Sequence, residues 1–260
     1  MRPSAAARRD RIALELSQQG YVSGCALAEM FGVSEMTIRR DLDALAEQGK
    51  LRRSHGGAVG LGAGRLDMVE PDMAERIRRN SAGKARIGAY AATTLTRGAF
   101  VALDIGSTTL CLAHALIGQN VRFLTCSLKI AALLGAAGET VVTPGGAVQG
   151  SEPSLVGAMT RRHIETFHFD VVFIGASGVA ATGLFDYSLD DAEIKRALIE
   201  RAARVVALLD SSKFERLSVA KVCPLAALDA LITDAPPPQP LADALADAGV
   251  HVTLATEEMA

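Results

Sequence analysis

The chain has 260 residues, of which 49 % are hydrophobic and 22 % charged, and it carries a net charge of -2. That length and apolar content predict folded material almost throughout, as a small domain followed by a larger one, and exclude a largely disordered chain. The start, MRPSAAARRD, lacks the apolar stretch of roughly 7–15 residues that a signal peptide needs, no run of about 18 apolar residues follows, and Cys25, Cys111, Cys126 and Cys223 show no ligand spacing, so a cytoplasmic protein with reduced thiols, no membrane partner, no metal and no cofactor is expected.

Residues 5–18, AAARRDRIALELSQ, set Ile12, Leu14 and Leu16 among polar positions and precede Gly20, which predicts a first helix. Ser23 suits the cap of a second helix running through Met30, with Leu27 and Met30 turned inward, and Gly32 permits a tight turn. Ser34 suits the cap of a third helix on which Ile38, Leu42 and Leu45 recur at helical spacing. That phasing leaves Glu35, Met36, Thr37, Arg39, Arg40 and Asp43 nearer the exposed side. Two short helices around a turn, the second bearing paired arginines, point to double-stranded DNA as the first partner. Thr37 and Arg40 are the candidate base contacts, and Arg39 suits a phosphate or a base. KLRRSHGGAV then alternates as a short hairpin, a wing that would offer Arg52, Arg53 and His55 to the duplex. Residues 1–60 hold nine Lys/Arg against seven Asp/Glu and the rest eighteen against twenty-two, so local placement of arginines carries the DNA reading more than net charge does. The competing reading takes RRDL as a solvated face, with Arg39 and Arg40 paired to Asp41, Asp43 or Glu47.

The stretch LAEMFGVSEMTIRRDLDALAEQGKLRRSHGGAV closely resembles the DeoR family of bacterial transcription regulators, whose amino-terminal domain is a winged helix-turn-helix. The resemblance implies that the TIRRDL helix enters the major groove, with groove or backbone roles for Ser34, Thr37, Arg39 and Arg40. It also implies that residues 55–58, HGGA, close the wing. Residues 1–60 are therefore expected to form the DNA-binding domain, and 61–260 a glycine-rich linker and an effector-sensing, oligomerising domain.

In that larger region Asp72 to Thr94 reads as one helix with Lys84, Ile87 and Ala91 on one side. Phe100 to Ile105 reads as a buried strand, Gly106 to Thr109 as a polar loop and Leu110 to Ile117 as a helix. The form returns from Val121, Val141, Phe169 and Val205, and short apolar runs ending in Gly, Ser, Thr or Asp predict a mostly parallel α/β sheet covered by helices on both faces. Ligands of such sheets lie at the carboxyl ends of the strands, where helix-start amides and hydroxyls converge on an anion. Asp104, Gly106, Ser107, Thr108 and Thr109 form the candidate ligand loop, with Ser127, Gly145, Gly146, Gly175, Gly178 and Lys213 as contributors from later strands. Lys213 suits a phosphate and Asp104 suits sugar hydroxyls. Each of these residues alone is equally a cap or turn device. Lys195 and Glu193, on DDAEIKRALIERAA, read as solvating a helix.

The DeoR resemblance continues through LDIGSTT, SLKIA, GGAV, FIGASGV, DDAEIKRALIERA, LDSSKF and LITDA. It implies a carboxyl-terminal fold similar to ribose-5-phosphate isomerase that senses a small phosphorylated metabolite. By the same resemblance the Asp104–Thr109 loop receives the ligand, Ser127 lines it and Lys213 serves its anionic side. The family often shows Asn where Cys126 stands, so a ligand-specific hydrogen bond is not carried over to that position. The implied function is a homo-oligomeric repressor whose operator affinity changes with the metabolite, and not an enzyme. The alternatives are a sugar-phosphate isomerase fused to a DNA-binding domain, which would need an acid/base pair no residue pattern assigns; a dinucleotide sensor, for which GxGxxG is missing; and a pure scaffold.

Overall fold

The computed structural model describes residues 4–19, 21–54, 57–60, 65–66, 70–150 and 152–256. The amino-terminal unit runs α1 (Ala5–Gln19), β1 (Tyr21–Ser23), α2 (Gly24–Phe31), α3 (Glu35–Glu47), β2 (Leu51–Ser54) and β3 (Gly57–Gly60). Local chemistry sets these boundaries. Ser23 caps α2 by accepting from the Ala26 amide at 3.0 Å, and Gly32 ends it with φ 61°. Ser34 caps α3 by accepting from the Thr37 amide at 3.3 Å. Ile12, Leu16, Leu27, Ile38, Leu42 and Leu45 meet in one core with Val22, Leu51 and Ala58 from the strands. Each large aliphatic side chain buried there contributes about 1.5–3 kcal/mol.

Two expectations change in this unit. Met30 is 54 % exposed, because α2 buries the stripe Leu27, Ala28 and, in part, Phe31, which rotates Met30 outward. The predicted hairpin is present as β2 against β3, antiparallel with Arg53 opposite Ala58, but β1 adds a third strand on the other side of β3. Three residues are too few for alternation to reveal it.

After β4 (Arg65–Leu66) come α4 (Met73–Arg78), α5 (Ser81–Thr93), β5 (Phe100–Leu103), α6 (Ser107–Ala115), β6 (Arg122–Thr125), α7 (Leu128–Ala136) and β7 (Val141–Val142). Then follow β8 (Ala147–Gln149), β9 (Ser154–Val156), α8 (Ala158–Ile164), β10 (Val171–Ile174), β11 (Gly178–Ala180), β12 (Gly183–Asp186), α9 (Leu189–Glu200) and β13 (Val205–Leu208). The last elements are β14 (Arg216–Leu217), β15 (Ala220–Cys223), β16 (Ala230–Thr233), α10 (Gln239–Asp247) and β17 (His251–Leu254).

Seven strands form a parallel sheet in the order β17-β16-β13-β10-β5-β6-β7. Alternation along β5, β10 and β13 divides the core in two. Val101, Leu103, Phe123, Val171, Phe173, Val206 and Leu208 face α5, α6 and α7. Ala102, Leu124, Val172, Ile174, Val205 and Ala207 face α8, α9 and α10. Such two-sided burial is what continuous apolar strands require. Three further strands, β11, β12 and β15, make a small antiparallel sheet, and β14 pairs with β4.

The helix expected from Asp72 to Thr94 is two helices. Asn80 turns the chain with φ 48°, a left-handed conformation Asn tolerates, and the Lys84 ammonium donates to the Arg76 carbonyl and, at 2.6 Å, to the Arg79 carbonyl at the end of α4. The polar loop expected at 106–109 is instead the first turn of α6, because Gly106 at φ 135° carries the strand straight into the helix.

Candidate functional site

The sheet reverses its winding between β5 and β10: β6 and β7 extend from one side, β13, β16 and β17 from the other. At such a switch point the loops leaving neighbouring strand ends diverge and open a crevice at the carboxyl edge. A cleft of about 510 Å³, counted to its open mouth, lies there. Gly106, Ser107 and Thr108 line it after β5, Gly175 after β10, and Glu70, Arg76, Asp186, Lys195 and Lys213 supply its charges.

The floor is an ion cluster closed on itself. Asp104 is 2 % exposed and accepts from the Gly175 amide at 2.9 Å and from the Lys195 ammonium. Lys195 lies 3.3 Å from Asp186 as well. Burial pushes the Asp104 carboxyl up to about 6, with Lys195 pulling it back. Burial would depress Lys195, but the carboxylates of Asp104 and Asp186 outweigh it and hold the ammonium charged.

The wall beside α6 is built for an anion. Among the described residues no side-chain cap bond closes the start of α6, and its first residues line the cleft. Ser107 and Thr108 are buried to better than nine-tenths, and their hydroxyls have no hydrogen-bond partner among the described residues. Lys213 lines the same cleft, in the turn after β13 that Asp210 caps through the Ser212 amide at 3.1 Å. It is half-buried, and its ammonium makes no hydrogen bond or ion pair among the described residues. Burial lowers its pKa from 10.5; Asp210 works against this, while Lys84, Arg76 and Arg216 add to it. Arg76 bridges Glu70 at 3.2 Å and Glu152 at 2.9 Å, and Glu152 accepts from the Gly106 amide at 2.9 Å. Burial raises the Glu70 pKa, against the pull of Arg76. Among the described residues no group of His, Cys, Asp and Glu is arranged to hold a metal ion.

Of the effector candidates read from the sequence, the cleft brings together Gly106, Ser107, Thr108, Gly175 and Lys213, with Asp104 beneath. The others have local duties. Thr109 is fully buried and its hydroxyl donates to the Gly106 carbonyl at 2.9 Å. Ser127 caps α7, accepting from the Ile130 amide at 3.2 Å, and is fully buried. Gly145 donates to His163 Nδ1 at 3.0 Å, and Gly146 lies against Thr160, both beside α8 and away from the cleft lining. Gly178 abuts the Arg216 carbonyl, where a side chain would collide. Cys126 is 1 % exposed, its thiol pushed up to about 12 by burial and the nearby Asp104.

Lys195 is the clear correction: it is 1 % exposed and holds two carboxylates, not a solvated helix face. A signal was present, since position 195 falls on the stripe between Ala192 and Leu198 that the sheet covers. Arg76, Asp186 and Glu152 are not among the site residues that the sequence suggests. No periodicity marks Glu152, which lies in the turn between β8 and β9.

On α3, Arg39 and Arg40 are exposed and neither has an ion pair among the described residues. The predicted alternative partner, Asp41, is buried and engages Arg8 at 2.5 Å and Arg9 at 2.9 Å from α1. Thr37 is half-buried with its hydroxyl 3.0 Å from that of Ser34. Arg53 is held by Asp43 at 2.8 Å and donates to the Gly57 carbonyl at 3.0 Å, which ties the wing to α3. His55 and the Arg52 side chain lie outside the described residues.

A winged helix-turn-helix with a free arginine face, carried on a chain whose parallel α/β sheet has a cleft at its switch point, defines a DNA-binding transcription regulator with a sensor domain. Residues 8–61 match the DeoR-like helix-turn-helix domain and residues 79–235 the DeoR C terminal sensor domain. The chain belongs to the DeoR family. It is similar to the glycerol-3-phosphate regulon repressor of Escherichia coli K12, 34 % identical over 242 residues covering 92 % of this chain and 94 % of that one. It is also similar to the HTH-type transcriptional regulator GolR of Listeria innocua, 34 % identical over 251 residues covering 95 % of this chain and 98 % of that one. Among solved structures it has a partial likeness to ribose 5-phosphate isomerase A of Methanocaldococcus jannaschii, with TM-score 0.40 and 19 % identity over 52 % of this chain and 55 % of that one. No helix among the described residues is long and apolar enough to cross a membrane.

Proposed function

We propose that this protein is a cytoplasmic, homo-oligomeric repressor whose operator affinity is changed by a small phosphorylated metabolite bound in the cleft. Residues 1–60 read DNA, and 61–260 link, sense and oligomerise. Thr37, Arg39 and Arg40 face the groove and its phosphates, with Ser34 and the wing residues Arg52, Arg53 and His55 placing α3 on the duplex.

The observation that carries the sensing half is Lys213: a half-buried ammonium without a hydrogen bond or ion pair among the described residues, lining the same cleft as the first residues of α6. Burying an ammonium without a counter-charge is unfavourable, and an anionic ligand relieves that penalty. The same geometry supports binding without turnover. Asp104, the carboxylate best placed for proton transfer, is walled in and engaged by Lys195 and the Gly175 amide. Coupling to DNA requires that the ligand favour one of two arrangements of the DNA-binding units.

The test is a titration of the full chain on labelled DNA from upstream of its own operon, repeated with a panel of phosphorylated sugars and polyols. Glycerol 3-phosphate comes first, given the name of the Escherichia coli relative. One metabolite shifting specific affinity is the expected result. Specific DNA binding unmoved by every member of the panel while one of them binds the cleft would defeat the coupling.

A further inference from the structure

Glu152 is buried where the cleft is otherwise arranged for a ligand. It is 5 % exposed, with one oxygen on the Gly106 amide at the start of α6 and the other on the Arg76 guanidinium, both at 2.9 Å. A helix-start amide and a guanidinium are favourable partners for an anionic ligand. Here both are taken by a carboxylate of the chain itself, and donors remain: among the described residues the buried Arg76 Nε has no partner, and neither do the hydroxyls of Ser107 and Thr108, residues that are themselves nine-tenths buried.

Resting on the anion-sensing reading above, we propose that the anion seat of the cleft extends to the Gly106 amide and the Arg76 guanidinium, where Glu152 stands in for the effector until a phosphate displaces it. A phosphate carries up to two charges and three acceptor oxygens against the one charge and two oxygens of Glu152. It therefore satisfies the donors that Glu152 leaves open. The β8–β9 turn can give at this point without unravelling the sheet. Gly150 sits at φ 90°, whereas the neighbouring Pro153 carbonyl and Leu155 amide stay bonded to the Leu128 amide and the Cys126 carbonyl. The strands on either side are also clasped to the start of α9 by Gln149 on Asp190 at 2.9 Å and Ser154 on Asp191 at 3.2 Å, so they stay anchored beside the helix that carries Lys195 when Glu152 departs. A built-in competitor lowers apparent affinity by the fraction of time it holds the seat, and so sets the concentration at which the cleft fills.

Calorimetric titration of the full chain and of Glu152→Gln with glycerol 3-phosphate and with inorganic phosphate tests this, beside hydrogen exchange across residues 147–153 of the unaltered chain. The expected result is binding on the order of tenfold tighter in Glu152→Gln, and faster exchange in the turn when ligand is added to the unaltered chain. Equal or weaker binding by the variant, or exchange in the turn that ligand leaves unchanged or slows, overturns the proposal; the exchange arm decides even if the variant fails to fold. Failure of both proteins to bind either probe overturns the anion-sensing reading itself, and this inference with it.

Discussion

Lys213→Met removes a cleft charge that has no ion pair among the described residues while keeping side-chain length, and it separates an anion seat from a merely structural lysine. A charge-assisted hydrogen bond contributes roughly 1.5–3 kcal/mol, so affinity for a phosphorylated ligand falls by roughly ten- to a hundredfold. In the ligand-free protein no hydrogen bond or ion pair among the described residues is lost, and burial already disfavours the charge, so the melting temperature holds or rises. The pH dependence has a definite sign. Because the folded protein depresses Lys213 below 10.5, the unfolded chain binds more protons in the interval between the two values, and the stability of the ligand-free fold rises with pH there. Ligand affinity does the opposite, declining as the ammonium is lost at a pH below the ordinary lysine range. Lys213→Arg, charged throughout, flattens that decline. Calorimetric titration across the alkaline range, paired with thermal unfolding, reads all of these. Unchanged ligand affinity in Lys213→Met, or a marked loss of stability without ligand, would refute the assignment.

Three other outcomes follow from the geometry. Arg40→Ala weakens specific operator binding by roughly 1–3 kcal/mol if it reads a base, with ligand affinity intact; equal binding in a gel-shift titration removes Arg40 from the interface. Lys195→Met leaves Asp104 and Asp186 without their buried counter-charge and destabilises the chain by about 3–5 kcal/mol in urea unfolding, with partial recovery when Asp104→Asn is added; an unchanged midpoint contradicts the buried cluster. Gly178→Ala sets a methyl against the Arg216 carbonyl and costs about 1–3 kcal/mol in the same assay, whereas a neutral result shows that the contact relaxes freely.

The elements most legible in the sequence are those whose signals are local. Ser23 and Ser34 cap the helices they precede, and the Ile38, Leu42, Leu45 phasing buries that face and leaves Arg39 and Arg40 outside. The apolar runs that begin at Phe100, Val121, Val141, Phe169 and Val205 each contain a strand of the parallel sheet. Within the candidate site, Gly106, Ser107, Thr108, Gly175 and Lys213 were legible because they end strands or begin helices. Ser127 and Gly178 carry the same signature, yet the first caps α7 and the second abuts the Arg216 carbonyl, since a cap or a close approach and a ligand donor demand the same residue types.

What the sequence by itself determined is the class of the two main parts: a helix-turn-helix with outward arginines, then repeated strand and helix units with polar residues at the strand ends. Only the tertiary structure decided which of those ends meet. The chain order β5, β6, β7 and the return at β10 put Asp104 beside Gly175, while Lys195 on α9 and Glu152 in the β8–β9 turn reach the same crevice from segments far along the chain. Whether a buried charge is paired depends on neighbours distant in sequence, and periodicity and capping are silent about them. That is why Lys195 reads as a solvated residue along the helix and stands as the keystone of an ion cluster in the fold.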